Sequence, residues 1–355
     1  MFPWMAGHGT DLDGAATDNA PQSYAEQHIS LDVANGIWEV ALVLNDAGFT
    51  LEVAWPVLRE VARYVAARGS WTQRGFEVLG MQGPDEVVLL DDNNSYFNLG
   101  AALVMRAAVY CARNGLPAGF TGVSESELKE WERIGKHIVL PFGHDKHGTT
   151  VVMPYDGLDP SNVNLKTGVY VLGNTEYLWL HGLPSDLVNN SVLRATFTLD
   201  NELRQTMSCP KNPYSVPTSS RAVAFTTPPF TAINAQMGNR TEALRLFRLM
   251  AEDYSQSPYF VVAEDNLRLY PGGNNGLYMT NYGSQYLGVA LGMTGLRFGG
   301  INRSFTAKAE EWLVSNVSLP MGWDSIHFGR MTINGEQYSM VAEHGRRAKL
   351  SQLTR

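Results

Sequence analysis

Positive charge is scarce in this chain. Its 27 Lys and Arg are outnumbered by 35 Asp and Glu, the formal net charge is −8, and only 17% of the 355 residues are charged. Recognition of a phosphate backbone needs a clustered excess of Lys and Arg, so the balance argues against nucleic acid and favours a neutral, polar ligand. Cysteine is almost missing: two residues, Cys111 and Cys209, cannot build a disulfide framework. Cys111 lies inside an apolar helical pattern and reads as a small core residue. No apolar run approaches the roughly 20 residues that span a bilayer, so no membrane partner is expected. Met1-Phe2-Pro3-Trp4-Met5 shows no basic segment leading into an apolar core, so no signal peptide is expected either. Against this, five Asn-x-Ser/Thr acceptors begin at Asn93, Asn189, Asn239, Asn302 and Asn316, where chance gives roughly three, and they tilt the expected localisation toward a secretory or vacuolar one.

Internal repeats are also lacking, which removes a helical-repeat scaffold from consideration. Helical periodicity is abundant instead. Ile29, Val33, Ile37, Val40, Ala41 and Leu44 follow the three-and-four spacing of an amphipathic helix that Gly48 should stop. Further helices are expected from Pro56 to Ala67 and over 96–113, 125–137, 197–207, 221–237, 241–254 and 280–293. Several are apolar all round, as befits helices buried among neighbours. Long loops over 70–95, 138–184, 208–220 and 255–279 are rich in Gly, Pro, Asn, Trp and Tyr and should be ordered and carry the site. After Gly295 to Arg303 the pattern changes. Trp312 to Val317, Ser325 to Phe328, Met331 to Ile333 and Gln337 to Val341 read as short strands, with Asn334-Gly335 as a hairpin turn. The expected class is mainly α, with a helical domain over 1–300 and a small β-rich domain over 301–355.

The densest chemical signal is Gly80-Met81-Gln82-Gly83-Pro84-Asp85-Glu86, followed by Asp91-Asp92-Asn93-Asn94-Ser95-Tyr96-Phe97-Asn98. A Gly-Pro step makes a rigid turn, and the carboxylates after it are presented from a loop that opens toward a helix starting near Ser95. On residue types alone, the Asp and Asn could equally be nothing more than caps for that helix. Gly272, Gly273 and Gly276 are no phosphate cradle, since the Lys-Ser/Thr ending and the preceding strand are missing. His137, His144 and His147, with Asp145 among them, match no closed zinc spacing. No metal is expected. Trp4, Trp71, Trp131 and Trp179 are candidate platforms for a sugar face.

The order of residues in this loop resembles the signature of glycoside hydrolase family 65, in which Gly-Pro-Asp-Glu precedes Asp-Asn-Asn-x-Tyr-x-Asn. Further stretches are similar in the same order: Phe2-Pro3-Trp4, Glu26-Gln27-His28-Ile29, Arg63 to Arg68, Val139-Leu140-Pro141-Phe142 and Gly288 to Phe298. The resemblance implies an (α/α)6-barrel-like toroid, incomplete at its N-terminal side because a Trp-Asp-x-Glu sugar-binding segment would lie upstream, with a small C-terminal β domain. It implies Glu86 as general acid and Glu264 as general base, with Asp265 the adjacent alternative, and no cofactor. His28 is implied to face the sugar, and Trp4, Asp85 and Asn98 join it as expected substrate-binding residues. The expected partner is an α-glucosyl disaccharide or glycan.

The family implied by the resemblance includes hydrolases and phosphorylases. Its phosphorylases hold phosphate on a serine-rich stretch, and Arg221 to Pro229 here has no serine pair, so water is the expected nucleophile. Val87 stands where the family has Tyr, and the Lys-Gln pair expected near Gly173-Asn174 is missing. The expected function is inverting hydrolysis of an α-glucoside. The alternatives are a noncatalytic remnant that binds carbohydrate weakly and an inverting disaccharide phosphorylase.

Overall fold

The computed structural model describes residues 26–84, 90–117, 119–158, 185–206, 227–256, 261–262, 279–298 and 305–354. These fall into two compact units. The first takes its residues from Met1–Asn162, Gly182–Leu193 and Gly299–Thr306, and the second from Val163–His181, Arg194–Phe298 and Ala307–Arg355.

In the first unit, α1 (Ile29–Leu44), α2 (Trp55–Arg68) and α4 (Glu125–His137) surround α3 (Ser95–Tyr110). The sequence of α3 is apolar on every side, and it is buried from Phe97 through Met105, as a helix without a polar face must be. Close approach depends on small residues: a Cβ on Gly135 of α4 would sit 3.2 Å from Met105 Cβ. Trp55 and Trp131 meet between α2 and α4 with centroids 6.5 Å apart.

Each boundary has a local cause. α1 ends earlier than Gly48: Asn45 adopts a left-handed conformation (φ 47°) and donates its N–H to Ala41 O, a stop that Asn tolerates almost as Gly does. α2 continues directly from a π-helical turn at Thr50–Ala54, and Pro56, which has no N–H to donate, stands where the wider turn passes into the α-helix. α4 opens on a capping box in which Ser124 and Glu127 exchange side-chain and backbone bonds. Two short hairpins interrupt the long loops, β1 (Ser70–Trp71) with β2 (Phe76–Glu77), and β3 (Phe142–His144) with β4 (Thr150–Val152).

After α5 (Asn190–Thr206), which runs from the first unit into the second, the second unit contains α6 (Thr227–Gln236), α7 (Arg240–Asp253) and α8 (Met279–Leu287). A π-helical turn at Gly288–Met293 extends α8. A minor hairpin pairs β5 (Ser255–Gln256) with β6 (Val261–Val262). Gly288 lies so near α6 that a Cβ would be 2.8 Å from Pro228 O. Arg240 of α7 donates to the carbonyls of Leu319, Pro320 and Trp323, and Phe247 packs edge-on against Trp323.

These residues lead into an antiparallel sheet, β7 (Ser325–Ile333), β8 (Glu336–Glu343) and β9 (Lys349–Gln352). Asn334 and Gly335 have φ of 52° and 81°, the two left-handed residues of a type I′ hairpin. The mainly α class with a small C-terminal sheet is as expected. In detail, Trp312 to Val317 is not a strand: Ala309–Trp312 forms a 3₁₀ turn, and the following backbone bonds to Gly295 and Arg346 in loops. The strands expected at 325–328 and 331–333 are one strand with an irregularity between Phe328 and Met331. Of the acceptor asparagines, Asn189, Asn239 and Asn316 are exposed, Asn93 is fully buried, and Asn302 lies outside the described residues.

Candidate active site

The loop carrying the signature has a fixed base. Residues 85–89 lie outside the described residues, and the chain on either side of them is clamped where Met81 and Asp91 exchange backbone hydrogen bonds of 3.0 and 2.7 Å. Each residue of the Asp-Asp-Asn-Asn run has a separate task. Asp91 Oδ2 accepts from Asn94 Nδ2 at 2.8 Å. Asp92 Oδ1 accepts the Gly80 N–H at 2.8 Å. Asn93 binds the β1–β2 hairpin, and Asn94 caps α3 by accepting the Phe97 N–H. Arg68, at the end of α2, donates to the carbonyls of Leu79 and Gly80 at 2.8 Å each. Gly83 is required sterically, since a Cβ there would fall 2.2 Å from Asn94 Nδ2.

Asn93 is the hub. It holds a left-handed φ of 52°, which Asn tolerates better than most residues. Its Oδ1 accepts the Val78 N–H at 3.1 Å, and its Nδ2 donates to Glu77 Oε1 at 3.1 Å and to Asp156 Oδ2 at 2.7 Å. Arg74 lies across the same carboxylates, bidentate to Asp156 at 2.7 and 3.0 Å and 3.0 Å from Glu77. The Arg74 guanidinium, more than any other group, holds the Asp156 carboxyl below its ordinary range.

Of the expected substrate-binding residues, His28 and Asn98 are described, and both are buried. His28 precedes α1 and packs edge-on against Tyr96, with centroids 5.5 Å apart. Its Nε2 is 3.9 Å from Asp32 Oδ2, and its Nδ1 makes no hydrogen bond among the described residues. Burial pushes the imidazole down to about 4 from its ordinary 6.5, so the ring is neutral at neutral pH. Asn98, one turn beyond Asn94, donates to Val139 O at 2.7 Å, and its Oδ1 is buried without a partner among the described residues. Trp4, Asp85, Glu86, Glu264 and Asp265 lie outside the described residues.

The lowered His28 value has a consequence for stability. The unfolded chain takes up a proton as pH falls through about 6.5, while the folded chain resists until about 4. The favourable contribution is therefore complete above 6.5 and lost progressively between these values, amounting to roughly 3 kcal/mol. Denaturant titrations at several pH values should show a shallower acid loss of stability for His28→Gln than for the natural chain. Equal slopes would remove the buried neutral imidazole as the cause.

Some sequence expectations need correction. Trp131 is 1% exposed and packs against Trp55, so it belongs to the core and offers no sugar platform. One face of Trp71 is covered by Arg133, 3.6 Å from the ring centroid, and its Nε1 donates to Glu130. Trp179 is outside the described residues. Asp145 accepts the N–H groups of His147 and Thr149, closing the β3–β4 turn. No group of three or more metal-ligating side chains occurs among the described residues.

Sequence reasoning passed over Gln82. It is fully buried, and its backbone pairs in parallel with Glu26. A polar residue directly before the Gly-Pro turn was the available signal.

The profile of the glycosyl hydrolase family 65 central catalytic domain matches residues 1–256. The chain belongs to glycoside hydrolase family 65. It is 24% identical over 349 residues to the α,α-trehalose phosphorylase of Geobacillus stearothermophilus, covering 92% of this chain and 41% of the relative. It is 24% identical over 320 residues to the kojibiose hydrolase of Flavobacterium johnsoniae, covering 88% and 40%. A cell wall acid trehalase of Candida albicans matches at 23% identity, over 96% of this family 65 chain and 29% of its own length. The chain thus spans about two fifths of the first two relatives. A solved structure of a protein assigned as a kojibiose phosphorylase, from the human microbiome, shares the fold with a TM-score of 0.63. It is 14% identical, and the match covers 97% of this chain and 49% of that one. This likeness agrees with the (α/α)6 class that the signature implied.

Proposed function

We propose that this chain carries the catalytic groups of an inverting α-glucoside hydrolase, with Glu86 as general acid and Glu264 as general base. The observation that carries the reading is the division of labour in Asp91 to Asn94. Capping α3 requires Asn94 alone. Asp91, Asp92 and Asn93 instead anchor both sides of the segment that presents Gly83-Pro84-Asp85-Glu86, which is unneeded in a loop that merely starts a helix.

In the proposed reaction Glu86 gives its proton to the glycosidic oxygen as the bond to the anomeric carbon breaks. Glu264 takes a proton from a water that attacks the opposite face. Such pairs stand about 6.5 to 9.5 Å apart to admit the water, and the anomeric configuration inverts. Neutral His28 and the Asn98 carbonyl suit the hydroxyls of an uncharged sugar, Trp4 would support its apolar face, and Asp85 would accept from a hydroxyl. No metal or cofactor takes part.

A second reading has a specific observation behind it. The trehalose phosphorylase relative matches over 92% of the chain, and phosphate could replace water as nucleophile. The absence of a serine pair in Arg221 to Pro229 supports water. Proton NMR of the first-formed product decides: β-glucose released from trehalose or kojibiose without phosphate is the expected result. Phosphate-dependent formation of glucose 1-phosphate would overturn hydrolysis, and no turnover with either nucleophile would leave a carbohydrate-binding remnant.

A further inference from the structure

Gln82 has no exposed surface, yet neither its Nε2 nor its Oε1 makes a hydrogen bond among the described residues. A primary amide can donate twice and accept twice. Burying one unsatisfied polar group costs about 1 to 3 kcal/mol, and an amide idle at both ends is a larger burden. Local geometry does not relieve it, because the neighbouring backbone is fixed on both sides. Met81 is bonded to Asp91 in both directions, Gln82 pairs with Glu26, and Gly83 lies against the Asn94 side chain. Unsatisfied buried groups in native proteins call for an explanation, such as an ordered water or ion, stored strain or a role at a site.

The surroundings indicate what would satisfy it. His28 is two residues from Glu26, which pairs with Gln82, and its Nδ1 is buried and idle. Asn98 is one helical turn from Asn94, which packs on Gly83, and its Oδ1 is likewise idle. The pairings of Glu26 with Gln82 and of Met81 with Asp91 therefore tie together the three segments that carry a neutral imidazole, a carbonyl oxygen and a whole amide. Charged ligands would meet no countercharge in this set. A vicinal diol, each hydroxyl both donating and accepting, matches an amide that offers one donor and one acceptor side by side.

We propose that Gln82 is a substrate-contacting residue that binds two adjacent hydroxyls of the glucosyl ring and so selects the sugar configuration. This rests on the α-glucoside reading above and assigns that site a residue it did not include.

Isothermal titration of D-glucose and its 2-, 3-, 4- and 6-deoxy analogues into the natural chain, Gln82→Met and Gln82→Glu tests it. In the natural chain, one adjacent pair of deoxy positions should each weaken binding about tenfold relative to glucose. In Gln82→Met, glucose itself should bind at least about tenfold more weakly, and those same deoxy analogues should no longer differ from it. Its Tm should be equal or higher, because the substitution removes an unsatisfied amide while conserving volume. Gln82→Glu, which loses the donor and keeps the acceptor, should abolish the discrimination at one position of the pair.

A structural amide would give the opposite pattern: a lowered Tm with the deoxy profile of the natural chain retained, and this would overturn the proposal. The deoxy profile decides even if Gln82→Met loses stability, since a general loosening weakens all analogues alike. If the natural chain and Gln82→Met bind glucose equally, the assignment of Gln82 fails while the glucoside reading stands. If the natural chain binds no glucose or glucoside at all, both fall.

Discussion

Glu86→Gln is expected to slow cleavage of an α-glucosidic bond by about a hundredfold to ten-thousandfold, the range typical for removal of a positioned general acid. The loss should appear in kcat, with KM nearly unchanged, because the proton is needed in the transition state and not for binding. Tm should hold, since the bonds of Met81, Asp91, Asp92 and Asn94 that fix the base of the loop survive the substitution. α-Glucosyl fluoride separates the two carboxylates: fluoride leaves with little protonic help, so this substrate should recover much of the rate in Glu86→Gln. Glu264→Gln should lose a comparable factor and gain nothing from the fluoride, because activation of water is what it lacks. Natural rates in both variants would end this assignment of roles.

The largest effect on stability is expected from Asn93→Asp, an isosteric change of one amide nitrogen to oxygen. In the natural chain that nitrogen donates to Glu77 and Asp156 at 3.1 and 2.7 Å. The substitution places a third carboxylate against these two, with Arg74 the one cation paired to them among the described residues. Asn93 is fully buried, so its new carboxylate would be cut off from water, although Arg74 and Asp156 at the rim of the cluster stay partly exposed. The expected loss is about 3 to 5 kcal/mol, the usual cost of an uncompensated buried charge. Urea denaturation at pH 7 reads it, and the loss should shrink as acid protonates the cluster. A change below about 1 kcal/mol, within the range of ordinary surface substitutions, would show that the network does not hold this turn.

What could be read in the sequence follows from how far each signal reaches along the chain. The helices of the first unit were legible because their apolar periodicity runs over several turns, and Asn334-Gly335 was legible because its backbone demand is local. β9 was missed because Lys349–Gln352 is an edge strand of polar, mostly exposed residues without an alternating face. Trp312 to Val317 misled for the converse reason: its buried Trp312, Leu313 and Val317 resemble a strand, yet their backbones are satisfied by loops. Trp131 shows why a tryptophan cannot be assigned to a sugar from sequence, since helix α4 carries it into the core. At the site, the order of residues around Glu86 was visible as a resemblance, but the separate tasks of Asp91, Asp92 and Asn93 arise from contacts with Met81, Gly80 and Val78 that only folding creates. Gln82 was invisible for the same reason, because an idle amide is defined by what surrounds it.

The burial of Asn93 also bears on the order of events in the life of the chain. Asn93-Asn94-Ser95 is an acceptor sequence for an oligosaccharide, and such transfer acts on chains still emerging and unfolded. The amide nitrogen that would receive the glycan is the one later clasped between Glu77 and Asp156, where there is no room for a sugar tree. Modification there before closure would be irreversible sabotage of the turn. In any glycosylating compartment, the β1–β2 hairpin would therefore have to close over Asn93 faster than the transferase could find it.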